Sequence, residues 1–365
     1  MKIPMNVLLF LAALLLLAGC GGSGDSPPPV TGWAVGVMPD KTTPAILETQ
    51  DGISWTRIIS DKFLRSGEGR NVSAIDSQCA WISINSAEVN TPGQVLRTLD
   101  GGATWENVTP VVWPPNSINN YVNIKALSRD VAWVATSNYL ASTNDGGKTW
   151  TPVTPSGFHN GEQYSYTHLD ALDSKHAWAI GGITFANSSS AALVVRTRDG
   201  IAWETMPAIP DEKNLLGLAV TSPNTVRVTT NNNATLYTSY DGGETFPVRV
   251  QLMNNPVGND LNDVAVYGQY VWTVQDRAIF SRATDGGYNF VNSKLPNFGD
   301  HGYSNLYAVA LSALDEKRIW VGGVADIGSP GGLLWSNDGG QNWHEPSPSL
   351  YGYDIWRVSF VGGVK

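Results

Sequence analysis

Charge is scarce in this chain. Only 15% of its 365 residues are Asp, Glu, Lys or Arg, and 23 basic against 32 acidic side chains leave a net charge of −9. That balance argues against a surface built to track phosphates, so nucleic acid is not an expected partner. Cysteine is nearly absent, with Cys20 and Cys79 alone. Histidine is limited to His159, His168, His176, His301 and His344, whose spacing matches no metal site. There is no Gly-x-Ser-x-Gly elbow, no phosphate loop and no amphipathic helical stretch of useful length beyond the N-terminus, so no cofactor is expected. Glycine (38), Trp (14) and Tyr (13) are plentiful instead, which suits many short strands joined by turns.

One phrase keeps returning. "TQDGISW" (49 to 55), "TLDGGATW" (98 to 105), "TNDGGKTW" (143 to 150), "TRDGIAW" (197 to 203), "SYDGGETF" (239 to 246), "ATDGGYNF" (283 to 290) and "SNDGGQNW" (336 to 343) each read as a tight turn between two strands. Asp-Gly supplies the positive φ such a turn needs, and the closing aromatic restarts an apolar face. Their acids, Asp51, Asp100, Asp145, Asp199, Asp241, Asp285 and Asp338, lie 42 to 54 residues apart, the period of propeller blades. Every unit divides alike. In the third, residues 121–128, 131–137, 139–143 and 148–153 give four strand-like runs. The second run carries a tryptophan of its own: Trp33, Trp81, Trp133, Trp178, Trp272 and Trp320, with only the fifth unit lacking it.

The two ends complete this count. Residues 31–36 match a second strand, so the first unit lacks a first strand, and "YDIWRVSFVGG" (353 to 363) supplies one at the C-terminus. The expected fold is all-β: a seven-bladed propeller of four-stranded antiparallel blades, closed by the C-terminal strand joining the N-terminal blade. Closure removes the exposed edges that invite aggregation.

The N-terminus reads differently. One basic residue, an apolar run from Val7 to Leu17 and small residues before Cys20 have the layout of an export signal. Leu17-Ala18-Gly19-Cys20 resembles the lipobox of bacterial lipoproteins, which implies cleavage before Cys20 and a diacylglyceryl group on it. Loss of Lys2 with the signal takes the net charge to about −10. The expected organisation is a signal peptide over 1–19, the lipidated Cys20 with a Gly/Ser/Pro tether over 20–30, and the propeller over 31–365, anchored to a membrane of the bacterial envelope. A lipidated Cys20 leaves Cys79 without a disulfide partner. Cys79, in the strand-like "SQCAWISI", reads as a small buried hydrophobe.

The repeated phrase resembles the Asp-box, or BNR, repeat of sialidases, sortilin-type receptors and related propellers, whose pattern is roughly Ser/Thr-x-Asp-x-Gly-x-Thr-Trp. The likeness covers residues 31 to 365. Two units, at Asp51 and Asp199, are a residue short, and two end in Phe246 and Phe290. The lipobox and a lone seven-bladed body bring the whole chain nearest to propellers like the photosystem II stability/assembly factor. In Asp-box families the box is structural, so the seven acids are read as holding their own turns. Sialidases carry an early Arg-Ile-Pro motif, whereas the first Arg here is Arg57, already past the first box. Two-propeller endoglucanases need a second propeller, for which there is no room. No catalytic or metal residue is therefore assigned, with a carbohydrate-active propeller, sialidase-like or glycan-binding, as the alternative.

Length accumulates in the links from each fourth strand to the next blade, which emerge on the face opposite the Asp turns. Those links carry Trp113, Phe158, Tyr164, Phe298, Tyr303, Tyr351 and Tyr353. Rigid aromatics with Asn and Gly suit recognition of a protein, peptide or glycan. The competing reading has these rings capping the central channel and packing on one another. The assembly-factor resemblance implies binding of nascent membrane-protein segments through a positive patch, but here Lys62, Arg65 and Arg70 form the one dense basic cluster of an acidic chain. The expected protein is a monomeric, lipid-anchored, non-enzymatic binding or scaffold propeller, an assembly factor for a membrane or surface complex.

Overall fold

The computed structural model describes residues 30–58, 67–86, 91, 93–111, 122–253, 258–296, 307–324 and 331–362. Seven antiparallel sheets stand in a ring, and the one helical segment among the described residues is the 3-10 turn Asp276–Ala278. Blades are numbered from the N-terminus. Their first, innermost strands are Asp354–Phe360, Gly67–Ala74, Asn123–Ala126, Gln163–Ala171, Leu215–Val220, Leu261–Tyr267 and Tyr307–Ala313, each touching the next around the ring. Six blades have four strands. Blade 7 has three among the described residues, with a Trp335–His344 bridge in place of the fourth.

Closure is made by the C-terminal strand. Gly32–Val37 pairs on one side with Pro44–Thr49 and on the other with Asp354–Phe360. The first blade is thus shared by both ends of the chain.

Apolar side chains gather between the blades in seven wedges. Trp33 and Ile46 of blade 1 pack against Val72, Ile82 and Trp105 of blade 2, for example. The six recurrent tryptophans are at most 2% exposed, and three of them, Trp33, Trp81 and Trp133, meet the closing tryptophan of the next blade edge-on at 5.2 to 6.3 Å. Indole N–H groups find the neighbouring turn too: Trp178 Nε1 donates to the Gly242 carbonyl (2.9 Å) and Trp320 Nε1 to that of Gly52 (2.7 Å). In blade 5, where the tryptophan is missing, Arg227 takes its place in the register. It is 6% exposed and donates from Nη2 to the Gly286 carbonyl of blade 6. A guanidinium thus replaces the indole as the donor between blades. Cys79 lies fully buried in the wedge of Trp81, where burial pushes its thiol up to about 11.

Candidate functional site

The Asp turns share one face with the turns between first and second strands. The link is direct: the N–H of the glycine after the acid donates to its own blade's first turn, as in Gly146 to the Asp130 carbonyl and Gly242 to that of Asn224, at 2.8 to 2.9 Å. Inside each Asp turn the carboxylate accepts from backbone and side chain. Thr149 donates its N–H to Asp145 Oδ1 (2.9 Å) and its hydroxyl to Oδ2 (2.6 Å), while Thr143 bonds both Asp145 and the Gly147 N–H. Gly146 and Gly147 sit at φ of 78° and 82°, and a Cβ on Gly147 would meet Val108 at 2.6 Å. The same acceptor role recurs at Asp51, Asp100, Asp199, Asp241, Asp285 and Asp338. At Asp285 the hydroxyl residue two before the acid is replaced by Ala283, and that bond is lost.

These bonds hold the carboxyls below their ordinary range. The Thr149 hydroxyl is the chief cause at Asp145, which lies at about 2. At Asp241 and Asp338 burial works the other way, and the bonds from Thr245 and Asn342 outweigh it, again giving about 2. A carboxyl lowered in the folded state stabilises the fold above its unfolded value of about 3.9, and that contribution is lost as pH falls through about 2. Asp145→Asn is therefore expected to melt a few degrees below the parent at pH 7, with the gap closing between about pH 4 and pH 2. Differential scanning calorimetry across that range checks it, and a gap unchanged at pH 2 would contradict it.

On the opposite face the central channel opens into a mouth of about 380 Å³. Its construction is regular. In every blade but the third, the first strand carries a β-bulge near its start. A bulge inserts one residue and re-aims its side chain. The residues left over are Trp356, Arg70, Thr167, Leu216, Asn262 and Val309, and all six line the mouth. Glycine on the facing strand makes room: a Cβ at Gly36 would collide with the Asp354 carbonyl, and one at Gly181 with that of Ser165. Arg70 stacks over the half-exposed Trp356 ring at 3.9 Å and pairs with Glu68 at 3.4 Å. Asn214 and Asp260 complete a rim of mixed donors and acceptors.

Below the mouth the channel is closed by a buried polar layer. Arg357 Nη1 donates to Asp263 Oδ2 at 2.7 Å across the small Ala310, and His168 Nδ1 comes within 4.0 Å of Asp263 Oδ1 across Gly217. A Cβ on Gly217 would lie 2.8 Å from Asp263 Cα, so only glycine allows that approach. Asn71 and Asn123 continue the layer through their side-chain amides.

The aromatic residues expected on this face are distributed differently. Tyr164 belongs to the first strand of blade 4 and not to a link; it stacks on Phe158 at 4.2 Å, and both pack on the buried cluster around Trp133 and Trp203. Tyr353 packs on the cluster of Trp55 and Trp320, while Tyr351 is 40% exposed. None of these four lines the mouth. Trp113, Phe298 and Tyr303 lie outside the described residues, as do Cys20, Lys62 and Arg65. Of the basic cluster Arg70 is placed, and it is at the mouth.

No family model matches the chain, and no curated protein does. Solved structures do resemble it. YCF48 bound to D1 peptide has a TM-score of 0.55 at 19% identity, over 78% of this chain and 82% of that one. YCF48 from Cyanidioschyzon merolae has a TM-score of 0.60 at 17% identity, over 88% and 94%. A protein of unknown function from Dyadobacter fermentans has a TM-score of 0.52 at 13% identity, over 74% and 95%. The likeness is one of fold. This chain is a seven-bladed β-propeller.

Proposed function

We propose that the chain is a non-enzymatic binding propeller that receives an extended segment of a partner protein at the mouth of its channel, and that a lipid on Cys20 holds it to a bacterial envelope membrane. The observation that carries the reading is the set of six bulges converging on one opening. Each bulge forfeits a ladder position, and six of them turned to one place form a site made by the scaffold and not by loop accident. The chemistry suits a peptide. The Asn214 amide can answer backbone N–H and C=O groups, the Asn262 amide oxygen and the Asp260 carboxylate can accept further N–H groups, and the Arg70–Trp356 stack offers a flat face to one side chain. The likeness to a propeller bound to D1 peptide supports a peptide over a small molecule. Leu17-Ala18-Gly19-Cys20 supports the anchor.

The test places a photo-crosslinking amino acid at position 356 in the native cell. Polypeptide adducts are expected there and not from the same group at Tyr240, which is 47% exposed on the Asp-turn face. Equal labelling from both positions, or none from 356, rejects the peptide reading. Cys20→Ala is expected to release the protein from membranes without changing its adducts, and an unmodified, soluble parent protein rejects the anchor.

A further inference from the structure

The channel has a second opening. On the Asp-turn face lies a cup of about 480 Å³ that shares no lining residue with the mouth, because the layer of Asn71, Asn123, His168, Asp263 and Arg357 stands between them. Its wall is the far end of the first strands, and its rim is the tight turns that follow them. Two half-exposed residues, Tyr267 (39%) and Leu172 (37%), stand on that rim.

The wall is polar in a particular way. Lys125 Nζ meets Asp170 Oδ1 at 2.6 Å, and Asp170 also accepts the N–H groups of Ala171 and Val220. Among the described residues that leaves two of the three ammonium protons without a partner and one carboxylate lone pair open. Ser359 Oγ accepts from the Ala74 N–H, which frees its own proton to donate. Ser312 is 2% exposed and lines the cup, and its hydroxyl has no hydrogen bond among the described residues. That hydroxyl is not shut away from the cup, so it is open to a ligand as both donor and acceptor. Ser73, by contrast, is spent on both polar groups of Ala126.

Charge decides what that occupant is. Among the described residues, Lys125 and Asp170 are the only charged side chains lining the cup, and they neutralise each other. An oxyanion finds its one countercharge already paired and a carboxylate beside it, and a cation finds the reverse. A neutral molecule rich in hydroxyl groups uses the spare donors and the spare acceptor together, with an apolar face against Tyr267 and Leu172. Tight turns around the rim leave room for a unit or two and not for a passing chain. We infer that the cup is a binding site for the end of a neutral saccharide, distinct in place and in ligand from the mouth.

Calorimetric titration of the full-length protein with glucose, galactose, N-acetylglucosamine and cellobiose, each to about 50 mM, tests this. At least one is expected to bind with a dissociation constant of order a millimolar. Thr221→Trp, at an exposed rim position, and Ser312→Leu, inside, are each expected to weaken it tenfold or more, while Trp356→Ala at the other opening leaves it within twofold. The rim variant decides the matter if the inner one fails to fold. Absence of binding by all four sugars, binding that survives Thr221→Trp, or preferential binding of phosphate or acetate overturns the inference. Loss through Trp356→Ala alone assigns any sugar to the mouth and overturns it as well.

Discussion

Deleting residues 354 to 365 is expected to abolish cooperative folding. The strand Asp354–Phe360 is the innermost strand of blade 1, and Gly32–Val37 would lose one of its two partners along its whole length. Ile355, Val358 and Phe360 are at most 3% exposed and belong to the wedge that joins blade 7 to blade 1. Fully burying such side chains is worth about 1.5 to 3 kcal/mol each, so their loss alone removes about 4.5 to 9 kcal/mol. That is comparable to the whole stability of a typical domain, about 5 to 15 kcal/mol. The edge of Gly32–Val37 that paired with the missing strand is also left open, so the truncated chain should aggregate. The measurement is a thermal melt with light scattering, repeated with a synthetic peptide of residues 353 to 365 in excess. The expected result is no cooperative transition without the peptide and partial recovery with it. A truncated chain that melts like the parent shows that the ring does not depend on this strand.

Why so much of the fold could be read in advance is a matter of repetition. Seven Asp-Gly turns, six tryptophans at one register and a first strand displaced to the C-terminus are local signals, and each is set by steric or turn chemistry that acts within a few residues. Arg227 shows where such reading stops. As a sequence "NTVRVTT" merely lacks a tryptophan, and only the packing reveals that the guanidinium reaches the Gly286 carbonyl and keeps the link between blades.

The candidate site was the less legible part, for a physical reason. A bulge adds one residue to a strand without altering its composition, so Arg70, Asn262 and Trp356 read as ordinary members of an alternating run until the pairing register is known. One signal was available. Gly36 and Gly181 each follow a recurrent tryptophan by three residues, within "WAVG" and "WAIG", and a glycine inside a strand marks a bulge or a close backbone approach. Aromatic residues are conspicuous in the long links. Yet Tyr164 and Tyr353 spend their rings on the wedges between blades, where a large apolar surface is worth more than on an open rim.

Neutralising Asp263 alone is expected to cost about 3 to 5 kcal/mol, because it strands the Arg357 guanidinium in a closed layer. Asp263 is 1% exposed and Arg357 10%, and among the described residues Arg357 Nε already has no hydrogen-bond partner, so the fold holds little in reserve for that cation. Asp263→Asn is the informative change, since its amide oxygen still accepts the Val264 or Leu311 N–H that the carboxylate serves now. Removing both charges with Asp263→Asn and Arg357→Met should restore most of the loss and leave the double variant within about 1 kcal/mol of the parent. The two singles would then fail to add, as expected for groups in direct contact. Urea denaturation of all four proteins completes the cycle. If each single variant costs under about 1 kcal/mol, water reaches the layer and the channel is open, and the mouth and the cup are one cavity. If the double variant is as unstable as Asp263→Asn, the pair contributes a net attraction of its own, and the layer is held by charge and not merely tolerant of it.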